Sequence, residues 1–171
     1  MTRHHAKKIA ALAAALACAS LASCDSFDRE EKDFPDLTYK RPGSWKSIGE
    51  QDRYTYYSND NELKATVTVN RYLENENLDA FMETAIAQPD GLYITSPQIL
   101  KSETTSVSEK TAREYLITGL VNDTKVEYRI VGFIANDHGY TFSFSQAGSF
   151  SQENSRIVDR VIKSIQITES S

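Results

Sequence analysis

The chain has 171 residues, 24 acidic against 19 basic side chains, a formal charge of −5 and 40% apolar residues. That excess of acid disfavours nucleic acid and anionic headgroups as partners, because both repel a net negative surface. Two cysteines exclude a multi-disulfide scaffold, so an apolar core must hold the fold.

Arg3, Lys7 and Lys8 form a basic start, Ile9 to Ala19 is rich in alanine and leucine, and small residues follow. This is signal-peptide anatomy. The apolar run is too short to cross a bilayer, which takes about 20 apolar residues. Leu21-Ala22-Ser23-Cys24 closes the segment and resembles a bacterial lipobox. Cys18 fits less well, since Ala15 stands where Leu21 stands relative to Cys24.

The lipobox resemblance implies cleavage before Cys24, a diacylglyceryl group on its sulfur, and palmitate among the acyl chains. It places the protein on the extracytoplasmic side of the cell membrane, lipid-anchored, with two or more chains giving stable attachment. Losing the leader removes three cations and no acid, so the mature chain carries −8 and a single cysteine. Asp25 resembles the signal that retains Gram-negative lipoproteins in the inner membrane. Asp25 to Asp36 is acidic and without periodicity, which reads as a flexible tether. The expected organisation is a signal peptide over 1–23, lipidated cysteine and tether over 24–36, and one globular domain over 37–171.

From Leu37 the pattern is mostly strand. Leu37 to Arg41 is a short strand ended by Pro42-Gly43, and Asp52 to Tyr57 with Leu63 to Tyr72 flank the turn-rich quartet Ser58-Asn59-Asp60-Asn61. Leu63, Ala65, Val67 and Val69 alternate with Lys64, Thr66, Thr68 and Asn70, which predicts one buried and one wet face. Leu78, Phe81, Met82, Ala85 and Ile86 follow the spacing of an amphipathic helix, with Asn77 as cap and Pro89-Asp90-Gly91 as stop. Tyr93 to Val107 carries no assignable pattern.

Strands are expected over Thr111 to Val121, Thr124 to Ala135 and Tyr140 to Ser145. A two-residue turn at Asn122-Asp123 sets Val121 opposite Thr124, Ile117 opposite Tyr128 and Tyr115 opposite Ile130. At the next turn a two-residue loop would place Tyr140, Phe142 and Phe144 with Glu127 and Arg129. A three-residue loop, Asp137-His138-Gly139, gives Gly139 the left-handed position and is preferred. It predicts a core face of Tyr115, Ile117, Val126, Tyr128, Ile130, Ile134, Tyr140, Phe142 and Phe144. A last helix runs from about Phe150 to Lys163, with Ser149 and Gln152 as a capping box, and Gln166 to Thr168 could add an edge strand. The fold class is α+β: an antiparallel β-sheet with an internal helix and a C-terminal helix packed on it.

Tyr39-Lys40-Arg41-Pro42-Gly43-Ser44-Trp45, the helix around Leu78 to Ala87, Gly139-Tyr140-Thr141-Phe142, and Phe150 with Ile157, Val161 and Ser164-Ile165 follow in an order that resembles the PsbP-like superfamily. That superfamily includes PsbP proteins, Ran-binding Mog-type proteins and DcrB- and LpqN-type lipoproteins. The resemblance implies a shared fold with binding or assembly roles and no shared active site, so no functional residue transfers except the lipobox cysteine.

The chemistry-bearing residues are few. His138 is the sole histidine after the leader; with Asp137 it could act as base or ligand, and otherwise it is an exposed turn residue. No nucleophile motif with supporting partners appears. Asn59 to Glu62 and Glu74 to Asp79 offer hard oxygens without calcium-loop spacing. No cofactor or metal is expected, and the protein reads as a non-enzyme.

Tyr54, Tyr56, Tyr57, Tyr72, Tyr93, Tyr115, Tyr128 and Tyr140 either suit half-buried strands or line a cleft. The face holding Leu116, Arg129, Val131 and Phe133 mixes charged and apolar groups. It is either covered by Tyr93 to Val107 or open as a protein-binding surface. The leading expectation is an envelope lipoprotein that binds or stabilises another envelope protein. The alternative is a carrier of a small apolar ligand or lipid in a cleft between the sheet and the helix Leu78 to Ala87, lined by Tyr54, Tyr56 and Phe81.

Overall fold

Backbone pairing sorts the strands into two antiparallel sheets flanked by two helices, in a computed structural model that describes residues 26–168 except 28, 72 and 74–76. Cys24 and the leader lie outside the described residues, as do Tyr72 and Glu74 to Glu76. In chain order the elements are β1 (Arg29–Phe34), β2 (Leu37–Arg41), β3 (Lys46–Glu50), β4 (Arg53–Tyr57), β5 (Leu63–Asn70), α1 (Leu78–Ala87), β6 (Thr95–Val107), β7 (Lys110–Val121), β8 (Thr124–Ala135), β9 (His138–Ala147), α2 (Gln152–Lys163) and β10 (Gln166–Ile167). The large sheet runs β3-β4-β5-β9-β8-β7-β6 and the small one β1-β2-β10. The expected α+β class is found. Among the described residues no helix is long and apolar enough to cross a membrane.

The segment expected to be a tether is in part a strand. Arg29–Phe34 pairs with β2, Glu31 opposite Tyr39 and Phe34 opposite Leu37. Its acids alternate, so Glu31 and Asp33 meet polar groups of the core while Glu30 and Lys32 face out. Strand β3 also escapes the apolar pattern, because it lies on the sheet edge with all five residues exposed.

Side-chain alternation buries both faces of the large sheet, one under the small sheet and α2, the other under α1. On the first face Val131, Phe133, Tyr140, Phe142, Phe144, Ala65 and Val67 pack against Leu37, Tyr39, Val158 and Val161. On the second, Phe81 and Met82 of α1 pack against Ile117, Tyr128 and Ile130. The predicted single core face is therefore divided between the two.

The cause is the β8–β9 turn. Asn136 and Asp137 both have positive φ, 49° and 62°, which makes a two-residue loop with Ala135 opposite His138 and Phe133 opposite Tyr140. Asn and Asp tolerate the left-handed region, and paired left-handed residues suit the strand twist of a hairpin. Asn122 and Asp123 do the same between β7 and β8, where the expected pairs Val121–Thr124, Ile117–Tyr128 and Tyr115–Ile130 all occur.

Gly139 is not left-handed. It faces α1, where a Cβ would stand 2.5 Å from the Phe81 ring, and one on Gly132 would stand 2.1 Å from the Met82 sulfur. These two glycines let α1 settle onto the strands.

Helix α1 is capped as expected, by Asn77 Oδ1 accepting from Ala80 N at 2.9 Å. The α2 cap is Ser151, whose Oγ accepts from Asn154 N at 3.1 Å. The Ser149 box gives way because the helix starts only at Gln152, after an extended Ser151, and the Phe150 N–H donates to the Glu127 carboxylate at 2.9 Å.

Candidate functional site

The α1 face of the sheet changes character along its width. Over β8 and β7 it is apolar and covered by α1, whereas over β5 and β9 it is a row of hydroxyls. Register sets Thr66 beside Ser143 and Thr68 beside Thr141, and the last two hydroxyls are hydrogen-bonded to each other. Between this row and the C-terminal end of α1 lies a cavity of about 400 Å³, lined also by Phe81, Ala85, Gln88, Arg53 and Asp90. One wall is polar and the other largely apolar.

Asp90 is the least expected group there. It lies in the short 3-10 turn Pro89–Gly91 with φ of 57°, and its side chain is fully buried. Lys64 Nζ lies 3.2 Å from Oδ2, Ser145 Oγ donates to the same oxygen at 3.5 Å, and the Arg53 guanidinium donates to the Asp90 carbonyl. Oδ1 has no partner among the described residues. Burial pushes the carboxyl above its ordinary value, opposed by the Lys64 charge and by hydrogen bonds from Lys64 and Thr66.

A raised folded-state pKa means that the acid adds stability below its unfolded pKa and loses it as pH rises through the folded value. Asp90→Asn is therefore expected to raise the urea midpoint at neutral pH and to leave it nearly unchanged near pH 3, below the ordinary carboxylate range of about 4. An unchanged or lower midpoint at neutral pH would show that Lys64 compensates fully for the burial.

The predicted protein-binding face is divided. Val131 and Phe133 are 0% exposed, with Phe133 stacked on Tyr140 at 5.4 Å between ring centres. They cannot present a surface, because the two-residue turn puts them on the face covered by the small sheet and α2; Tyr93 to Val107 does not cover them. Leu116 and Arg129 stay half-buried along a groove of about 390 Å³ with Glu114, Glu127 and Asp159. Arg129 is engaged there, its Nε 2.6 Å from Glu114 and its Nη1 2.7 Å from Asp159. Burial opposes its charge, but these two hydrogen-bonded acids outweigh it and raise its pKa.

Tyr54 and Tyr56 do not line the α1 cavity. They belong to the opposite face, where Tyr54 meets Phe34 edge-on and Tyr56 meets Tyr39. Asp33 Oδ2 accepts from Tyr39 at 2.6 Å and from Tyr56. Nearby, Arg41 is 1% exposed, 2.7 Å from Glu31 and stacked 4.6 Å over the Tyr56 ring, and it donates to the carbonyls of Pro42 and Trp45. The sequence carried one signal for this cluster: alternating acids directly before a strand that holds Tyr39 and Arg41.

His138 begins β9 with Nδ1 4.0 Å from Asp36 Oδ2, beyond hydrogen-bond length. Asp36 instead accepts from Tyr140 at 2.7 Å and Asn136 at 3.1 Å. Burial works against its ionisation, yet those bonds hold its pKa below the usual value. Asp137 is an exposed turn residue. Asn59 to Glu62 is a hairpin turn in which Asp60 Oδ1 accepts from Glu62 N at 3.0 Å. Among the described residues no three His, Cys, Asp or Glu side chains gather as a metal site.

No family model matches the chain, and no curated protein matches it. Solved structures do. The cyanobacterial PsbP of Synechocystis sp. PCC 6803 superposes with a TM-score of 0.63 at 14% identity, covering 86% of this chain and 98% of that one. LpqN of Mycobacterium tuberculosis, involved in cell envelope biogenesis, gives 0.61 at 9% identity over 82% and 91%. The Ran-binding protein Mog1p of Saccharomyces cerevisiae gives 0.58 at 9% identity over 82% and 95%. The fold is PsbP-like. At such identities the likeness extends to the fold alone.

Proposed function

We propose that the protein is a non-enzymatic lipoprotein of the bacterial envelope, anchored through Cys24, whose domain binds another envelope protein along the outer edge of β6. The observation that carries this is the exposure of the edge itself. Strand β6 is thirteen residues long and pairs only with β7 on one side. At its irregular end Ile99 and Leu100 are 56% and 52% exposed, beside Tyr93 and Leu120. A long open edge bearing apolar side chains is where a partner strand adds. LpqN, with its role in envelope biogenesis, shares the fold and supports the setting.

The test is a photo-crosslinking residue at Leu100 in the full lipoprotein within its own membrane. A discrete adduct that disappears in Ile99→Glu is expected. Adducts that persist unchanged in that variant would remove β6 from the interface. Cys24→Ser is expected to leave the fold intact and release the protein from the membrane; labelled fatty acid still entering that variant would end the lipid-anchor assignment.

A second reading rests on the α1 cavity. Its hydroxyl row and the unpartnered Oδ1 of Asp90 suit a small ligand that donates hydrogen bonds on one side and shows an apolar side to Phe81. They do not suit a wholly apolar lipid, which would leave these groups unsatisfied. Native mass spectrometry of the mature chain checks it: a bound mass lost in Thr141→Val supports a carrier, and a bare chain from its native host refutes it.

A further inference from the structure

The net charge of the chain conceals a basic stripe next to the anchor. On α2, Arg156, Arg160 and Lys163 are all exposed and fall at i, i+4 and i+7, one side of a helix over about 10 Å. Among the described residues none of the three is in an ion pair. Asp159, on the flank of the stripe, is turned to Arg129 at 2.7 Å, while Glu153, one turn before Arg156, is exposed on the same side of the helix as the one acid at its N-terminal end. Arg160 and Lys163 also suit the negative end of the helix dipole, but Arg156 in mid-helix gains nothing from it.

The N-terminal chain leads to this stripe. Ser26 is already held to the domain, its carbonyl accepting from Gly43 N at 3.2 Å. Phe27 packs against the core, and the Arg160 guanidinium lies 4.1 Å over its ring. Only Asp25 separates Cys24 from Ser26, and the two steps along the chain reach about 7 Å fully extended. An acylated Cys24 thus leaves no slack to hold the domain away from the bilayer.

We infer that the exposed face of α2 is the membrane-facing surface of the domain, with Arg156, Arg160 and Lys163 resting on anionic phospholipid headgroups. This rests on lipidation of Cys24. The anchor supplies the attachment, and the stripe sets the orientation. The remainder of the strongly acidic surface is repelled by the same headgroups, which strengthens the preference for one pose. The two cavities and the β6 edge are then held in a fixed relation to the membrane. Net charge alone, which argues against anionic headgroups, misses this because attraction decays within about 8–10 Å and so is decided by the nearest side chains.

The test uses the full acylated protein in vesicles of equal phosphatidylglycerol and phosphatidylcholine doped with a nickel-chelating lipid. Acylated Cys24 has no free thiol, so Gln152→Cys on α2 or Glu83→Cys on α1 supplies the only site for a nitroxide label. Nickel-induced relaxation is expected to be on the order of threefold faster at 152 than at 83, and to equalise in the triple variant R156Q/R160Q/K163Q or in pure phosphatidylcholine, given the steep decay of headgroup attraction. Equal relaxation at both positions in wild-type protein, or a difference indifferent to lipid charge, overturns the orientation. Intact mass on the same sample keeps the premise separate: an unacylated Cys24 overturns the anchor and the membrane role of the stripe with it.

Discussion

A chain beginning at Leu37 is expected to show no cooperative thermal transition by circular dichroism, whereas one beginning at Cys24 melts in a single step. Leu37 is where the apolar pattern starts, but it is not where the domain starts. Removing β1 takes Glu31 from Arg41, which is 1% exposed; stripping one partner from a buried ion pair costs about 3–5 kcal/mol. It also removes the Phe34 side chain from the core, about another 1.5–3 kcal/mol, and the Asp33 acceptor shared by Tyr39 and Tyr56. Those losses rival the whole stability of a typical domain, about 5–15 kcal/mol. Single variants Glu31→Gln and Asp33→Asn would divide the effect. A Leu37 chain melting within a few degrees of the longer one would return β1 to the status of a tether.

Phe133→Asp is expected to leave no folded protein, while Phe133→Leu keeps the fold with a lowered urea midpoint. The ring is 0% exposed and stacks on Tyr140 and Phe142. Truncating such a side chain to alanine costs about 3–5 kcal/mol, and an unpaired carboxylate at the same place adds its desolvation. Soluble Phe133→Asp with an ordinary midpoint would mean that the face beneath the small sheet is open, and would restore it as a docking surface. Ile99 and Leu100 at the β6 edge carry no such risk to folding, since both are already in water.

Where an element is defined by local spacing, the sequence suffices. Asn77 caps α1 and Pro89 ends it, because capping and the loss of a backbone donor act within one turn. The β7–β8 register follows from Asn122-Asp123 and from alternation on both strands. The same logic failed one hairpin later, where Gly139 looked like the left-handed residue. Asn136 and Asp137 take that conformation, and Gly139 is there to admit Phe81. One residue of register moves every side chain to the other face, so Val131 and Phe133 passed from supposed surface to core.

The cavity was legible only in pieces. Thr66 and Thr68 looked like the wet side of one strand, Thr141 and Ser143 fell in another expected strand, and Asp90 looked like a helix stop. Strands β5 and β9 lie some seventy residues apart in the chain, Thr68 against Thr141, and nothing local says that they pair.

The sequence by itself carried the lipobox resemblance and determined the α+β class, both helices and the β4–β5 and β7–β8 hairpins, because each rests on residues within a few positions of one another. Tertiary structure alone decided that β1 belongs to the domain, that both sheet faces are buried, and that Asp90 and Arg41 are interior charges. Those outcomes depend on which distant strands pair and on what packs over them, and burial, unlike periodicity, is a property of the assembled layers.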